Sequence, residues 1–317
     1  MKWVTYDAGD GARTGLLEGE LEGAKVHGLA AGTTLLSLLG DDGERLAAAG
    51  ETARTDPAEV RPLDAVRLLA PIPRPPAVRD ALCFLDHLRG CYRALGRPPE
   101  LPEVWSQTPA FYFGNPAAVV GPHDDVAISP ACELFDFELE IGAVIGRGGR
   151  DLHPDDAASH IVGLTFFNDW SGRDLQIRDM AHGIGMGKAK DSAITLGPAL
   201  VTVDELGAAA DGRFPVEVSA AVNGTEVARG SLADADWSFG EILAYVSRGT
   251  DLLPGDVVGS GTVPGGCLLE HVDTPDIAAF SGWLRPGDVV SLRSPALGET
   301  AQTILPAPAV TRLRTGF

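Results

Sequence analysis

Three carboxylates stand at alternate positions in FDFELEIGAVIG, residues 135–146: Asp136, Glu138 and Glu140, interleaved with Phe135, Phe137, Leu139 and Ile141. Strict alternation is the period of a β-strand, which puts the apolar side chains on one face and the carboxylates on the other. Residues i and i+2 of a strand lie roughly 6.6 Å apart, and like charges lined up at that spacing weaken a sheet. A solvated outer face tolerates such a row. The segment runs on, however, into the apolar IGAVIG, and carboxylates beside a buried stretch need a cation. Oxygen donors of this kind suit Mg²⁺, Ca²⁺ or Mn²⁺. On the pattern alone, a solvated face and a hard-cation site both stand.

A second group lies in NDWSGRDLQIRDM, residues 168–180, where the apolar run HIVGLTFF leads into Asn168 and Asp169. Ser171 with Asp174 three residues on has the form of a capping box, so a helix is expected over 171–182. Arg173 and Gln176 then share a face of its first turns. A carboxylate, a guanidinium and an amide converging here suit a cation together with a carboxylate-bearing ligand; a plain strand–helix corner is the alternative. The glycine-rich GIGMGKAKD, 183–191, lacks the spacing of a phosphate loop and presents Lys188 and Lys190, either solvated or clamping a ligand. Asp80 and His87 are seven apart, two turns along one helical face. The small residues of VVGSGTVPGGCLLEH, 257–271, admit close backbone approach around Thr262 and precede Glu270.

The chain that must position these residues has 317 residues, 44% hydrophobic and 22% charged, an ordinary globular composition. Its net charge of −19 disfavours nucleic acid and anionic membranes as partners. Any anionic substrate needs its own local Arg, Lys or metal ion. No apolar run is long enough to span a bilayer, MKWVTYDAGDG turns acidic too early for a signal peptide, and Cys83, Cys91, Cys132 and Cys267 suggest no disulfide framework. A cytoplasmic setting is the expectation. Residues 1–70 mix short strands (KWVTY, KVHGL) with turns and a helical run near Leu35–Leu39. APIPRPP, 70–76, breaks both helix and strand, so a small domain is placed at 1–70 and a larger one at 71–317. Val78–Gly96 reads as helix, and 238–248 as another. Beyond 130 most segments read as strands, with NG in VEVSAAVNGTEVAR as a hairpin turn. The fold class is α+β and β-rich.

Taken as a set and in this order, the D-x6-H segment, FYFGNP, DFELE, FNDWSGRDLQ, GKAKD, GSGT and LLE resemble the fumarylacetoacetate hydrolase family, especially bacterial members with a small N-terminal domain. The resemblance runs from about Arg79 to about Val290. It implies a β-rich roll, usually a homodimer, acting on 1,3-dicarbonyl (acylpyruvate-like) acids. It also implies a divalent cation, Mg²⁺ or alternatively Ca²⁺ or Mn²⁺, on Glu138, Glu140 and Asp169, with Asp80 nearby. His87 paired with Glu270 becomes the base that activates water for C–C cleavage, with Lys190 as a further catalytic residue. Tyr112, Arg173, Gln176 and Thr262 become substrate contacts. Decarboxylation or isomerisation of a small oxo acid by the same enolate chemistry, and ligand binding without turnover, are the alternatives. The chain departs from the family at Leu82, Ile194 and Gly172; the first two are expected to alter the substrate pocket. Asp136 has no implied role.

Overall fold

Three segments rich in β-branched and aromatic residues, Leu139–Ile145, Ile161–Asp169 and Ile194–Thr202, are almost wholly buried on both faces, as expected of interior strands. They pair antiparallel, with Ile141 opposite Phe166 and Asn168 opposite Thr195. The computed structural model describes residues 1–19, 23–207, 212–272, 282–311 and 313–314. In it these strands form the middle of a long mixed sheet.

Beyond Leu139–Ile145 the sheet continues through Val257–Gly259, Val78–Ala81 and Phe111–Gly114, with Gly259 facing both Gly142 and Asp80. A buried Arg79–Asp256 ion pair, 3.1 Å, ties two of these strands' ends together. On the other side Lys2–Asp7 pairs with Ile194–Thr202 and is followed by Ala12–Glu18, Lys25–Gly28 and Glu59–Pro62. The sheet thus passes without interruption from the first 70 residues into the rest, while residues 70–77 are neither helix nor strand. A second sheet holds the hairpin Glu217–Val222 and Thr225–Ser231, turned at Asn223 and Gly224 with φ 51° and 80°, and then Val289–Ser294 and Gly298–Leu305. Helices are few, including Leu85–Ala94, Arg173–His182 and Phe239–Val246. The fold is α+β, as the sequence indicates.

Three expectations need correction, and one helix is missing from the sequence reading. FDFELEIGAVIG is not one strand: Phe135–Asp136 pairs with Ser171–Gly172, and Phe137 and Glu138 leave the ladder before Leu139. The fully buried Asp136 carboxylate takes the Phe137 amide, and satisfying that buried charge bends the chain there. Val78–Gly96 is a strand followed by a helix, because sheet pairing claims Val78–Ala81. Asp80 and His87 therefore sit on different elements. The helix after Asp169 starts at Arg173 without a side-chain cap, since the Ser171 hydroxyl donates to the Asp169 carbonyl instead, 2.9 Å. The alanine-rich helix Glu44–Thr55 goes unannounced in the sequence reading. Of the departures from the family, Ile194 is fully buried in the apolar cluster with Val78 and Val119.

Trp3, fully buried between Leu16 and Leu200 on the neighbouring strands, anchors the first strand to the central sheet. Trp3→Ala is expected to lower stability by about 3–5 kcal/mol, the usual loss for a large aromatic removed from a core; urea unfolding followed by circular dichroism measures it.

Candidate active site

The break at Phe137 and Glu138 directs Glu138 and, two residues on, Glu140 into one buried cluster. The Glu138 amide donates to the Asn168 side chain, 3.0 Å, on the adjoining strand whose next residue is Asp169. Asp80 enters from the opposite side, on the strand parallel to Val257–Gly259, and accepts from the Gly261 amide, 3.2 Å. Each of the four carboxylates is at most 5% exposed. Carboxylate oxygens of Asp80, Glu138 and Glu140 lie within 4.8 Å of one another. Gly259 makes this possible: a β-carbon there would fall 2.3 Å from Asp80 Oδ1 and 3.2 Å from Glu140 Oε2.

Lys190 is buried between Glu138 and Asp169, donating to Asp169 Oδ2 at 2.5 Å and pairing closely with Glu138 Oε2. Lys188, by contrast, is solvated and paired with Asp191. Tyr112 donates its hydroxyl to Asp169 Oδ2, and Thr262 donates to Glu140 Oε1, 3.0 Å. Arg173 pairs with Glu138 at 2.9 Å and with Asp136 at 2.8 Å, and donates to Gln176 at 3.1 Å. Asp169, Glu138, Glu140, Lys190, Tyr112, Thr262, Arg173 and Gln176, all singled out in the sequence, therefore meet in this cluster, whereas Lys188 does not. Thr262 and Arg173 are almost entirely engaged with carboxylates, leaving the half-buried Gln176 and Tyr112 as the more accessible groups.

The charges do not balance. Asp80, Asp136, Glu138, Glu140 and Asp169 face Lys190 and Arg173 as the permanent cations in direct contact. Burial and the Asp169 charge push Asp80 up to about 7. Burial, with Glu138 adding to it, pushes Asp169 up to about 6 against the pull of Lys190. Burial and Asp80 hold Glu140 well above the carboxylate range. Glu138 goes the other way: burial opposes it, but Lys190 and Arg173 hold it near about 2. Glu140 Oε2 and Asp169 Oδ1 are buried without a hydrogen-bond partner. Oxygen-only donors, orphaned lone pairs and surplus negative charge fit a hard divalent cation.

His87, on the helix Leu85–Ala94, donates through Nδ1 to Glu270 Oε2 at 2.8 Å, the two side chains 8% and 6% exposed. Gly90 on the same helix lets Glu270 in, since a β-carbon there would meet Glu270 Oε1 at 2.4 Å. Burial works against a charge on His87, but Glu270 and the Cys267 sulfur raise it well above the usual imidazole range. His87 is near enough for its charge to lower Glu138.

Asp136 is the residue that the sequence reading left without a role. Its carboxylate takes the Arg173 guanidinium and the amides of Leu268, 2.8 Å, and Leu269, 3.1 Å. Those amides open the turn Leu268–His271 that carries Glu270. The signal for it was the charge itself, set between the apolar Phe135 and Phe137.

Gly259→Ala is expected to displace Asp80 and weaken Mg²⁺ binding at least about tenfold, the scale on which a metal's supporting shell acts, with the fold retained; calorimetric titration with Mg²⁺ tests this. A pH effect follows from the raised carboxylates. An unfolded aspartate titrates near about 4, whereas Asp169 and Asp80 titrate near about 6 and about 7 when folded. The folded protein holds protons that the unfolded chain has released, so metal-free stability falls as pH rises from about 4 through about 7. Mg²⁺ should flatten that slope, as read from melting curves with chelator and with the ion.

The model of the fumarylacetoacetate (FAA) hydrolase C-terminal domain matches residues 77–305, a span that contains every residue of this network. The human mitochondrial oxaloacetate tautomerase FAHD2A is 32% identical over 226 residues, 71% of this chain and 68% of its own. Oxaloacetate tautomerase YisK of Bacillus subtilis is 31% identical over 244 residues, 76% of this chain and 74% of its own. The crystal structure of 5-carboxymethyl-2-hydroxymuconate delta-isomerase from Mycobacterium smegmatis matches with a TM-score of 0.69 at 25% identity, over 96% of this chain and 100% of that one. With 77–305 matched and the relatives aligned over most of its length, the chain belongs to the fumarylacetoacetate hydrolase family.

Proposed function

We propose that this chain interconverts the enol and keto forms of a small 2-oxo dicarboxylic acid of the oxaloacetate class. The observation that carries the reading is the His87–Glu270 pair, hydrogen-bonded at 2.8 Å and buried beside the carboxylate cluster, where Glu270 favours the charged form of the imidazole against the cost of burial. A protonated imidazole can deliver a proton to an enolate carbon and recover it, as tautomerisation requires. Water activation for hydrolysis calls for a neutral imidazole instead. The oxaloacetate tautomerases among its relatives support the same choice over the C–C hydrolysis expected from the sequence.

Asp80, Glu138 and Glu140, with Asp169, are the residues that would hold a divalent ion, Mg²⁺ by the hardness of the donors. When bound, such an ion supplies Lewis-acid polarisation of a 2-oxo group. The chain's own residues do the rest. Lys190 bridges Glu138 and Asp169 and favours the ionised form of each. Thr262 fixes the orientation of Glu140. Gln176, steered by Arg173, offers its amide to a substrate carboxylate. His87 moves the proton at the carbon next to the oxo group, and Glu270 holds the ring and its charge. Lys190 and Tyr112, both on Asp169 Oδ2, offer further proton-bearing groups for the oxygen end of the exchange.

Hydrolysis of an acylpyruvate is the second reading, favoured by the same dyad should the imidazole become neutral once a cation offsets the cluster's charge. The enol band of oxaloacetate, followed in the presence of Mg²⁺, and pyruvate release from an acylpyruvate decide between them. Faster enol decay is expected. His87→Gln should slow it by about 10²–10⁴-fold, the range for loss of a proton-transfer group, with Mg²⁺ affinity preserved. Pyruvate release outrunning enol decay would refute the tautomerase reading.

A further inference from the structure

His87 is also the meeting point of two thiols that the proposed reaction does not use. Cys91, one turn along the same helix and half-buried, has its Sγ 3.7 Å from His87 Nε2. Cys267, fully buried at the start of the Leu268–His271 turn, has its Sγ 3.6 Å from Glu270 Oε2. Both are free thiols, and a ring nitrogen of His87 and the two sulfurs lie within 4.8 Å of one another. The segments that supply them, a helix and a glycine-rich loop, are far apart in the chain and are already held together by the His87–Glu270 bond.

This donor set differs in kind from the carboxylate cluster. Thiolate sulfur and imidazole nitrogen select Zn²⁺ and similarly soft ions, whereas oxygen-only clusters select Mg²⁺ and Ca²⁺. Two donors at about 2.3 and about 2.0 Å from one tetrahedral zinc stand roughly 3.5 Å apart. The observed sulfur–nitrogen separation already approaches that. We propose that His87, Cys91 and Cys267 form a second, soft-metal site that takes Zn²⁺ and withdraws His87 from proton transfer, with Glu270 holding the imidazole through Nδ1. Zinc enters past the half-buried Cys91, and on binding each thiol and His87 Nε2 give up a proton to solvent. Until then burial keeps the Cys267 thiol protonated. The inhibitory consequence rests on His87 being the proton carrier; the site itself does not.

The test uses the whole protein with its thiols kept reduced by a phosphine and the carboxylate cluster saturated with Mg²⁺. Titration with Co²⁺ should produce a near-ultraviolet thiolate-to-cobalt charge-transfer band and intense tetrahedral visible bands, both abolished by Zn²⁺. Cys91→Ser, at a half-exposed position, should weaken Zn²⁺ binding at least about tenfold, and Cys267→Ser should do the same; circular dichroism checks that each variant folds. No charge-transfer band in the parent protein, or an undiminished band in both variants, overturns the proposal. Zn²⁺ should inhibit enol decay in parallel with the band, relative to each variant's own rate without zinc. A band without inhibition would support the metal site and remove His87 as proton carrier, so the two readings fail separately.

Discussion

The structure depends on an imbalance: more carboxylates are buried in one place than the buried cations beside them can neutralise. A buried ionised group without a partner is among the most expensive things a fold can contain. Here Lys190 and Arg173 settle Glu138 and Asp136, and the remaining charge on Asp80, Glu140 and Asp169 must be met by protons or by an ion from outside. The upward displacement of Asp80, Asp169 and Glu140 is the proton solution. The orphaned oxygens of Glu140 and Asp169 mark the place for the other. Both answers are local, set by groups within the cluster rather than by the overall charge of −19.

Holding that surplus requires a rigid frame. Glu138 and Asp169 come from the ends of adjoining antiparallel segments, so the register that sets Leu139 against Asn168 also sets the carboxylates together. Asp80 arrives through a parallel pairing of segments nearly two hundred residues apart in the chain, locked by the Arg79–Asp256 pair. The His87–Glu270 pair is carried outside the sheet, on the helix Leu85–Ala94 and the turn Leu268–His271.

The parts legible in the sequence were those whose chemistry is local. The NG hairpin, the strand leading to Asp169 and the pair of glutamates announce themselves within a dozen residues. Lys190 could be named from its motif, although not its burial between two carboxylates, because that depends on a loop folding back over strands from elsewhere. The helical reading of Val78–Gly96 failed for a related reason: periodicity is read along one segment, while the claim on Val78–Ala81 comes from Val257–Gly259. Ser171 looked like a helix cap and instead turned its hydroxyl to the Asp169 carbonyl. Cys91 and Cys267 looked unrelated by spacing, and only the fold makes them neighbours.

Asp136 gives the assembly a property of its own. One carboxylate bears both the guanidinium that steadies Glu138 and the amides that aim Glu270. The carboxylate cluster and the His87–Glu270 pair are therefore hinged on a common pin. During descent neither half can drift without dragging the other, so lineages sharing this pin would diversify at the rim of the pocket while the machinery beneath stayed fixed.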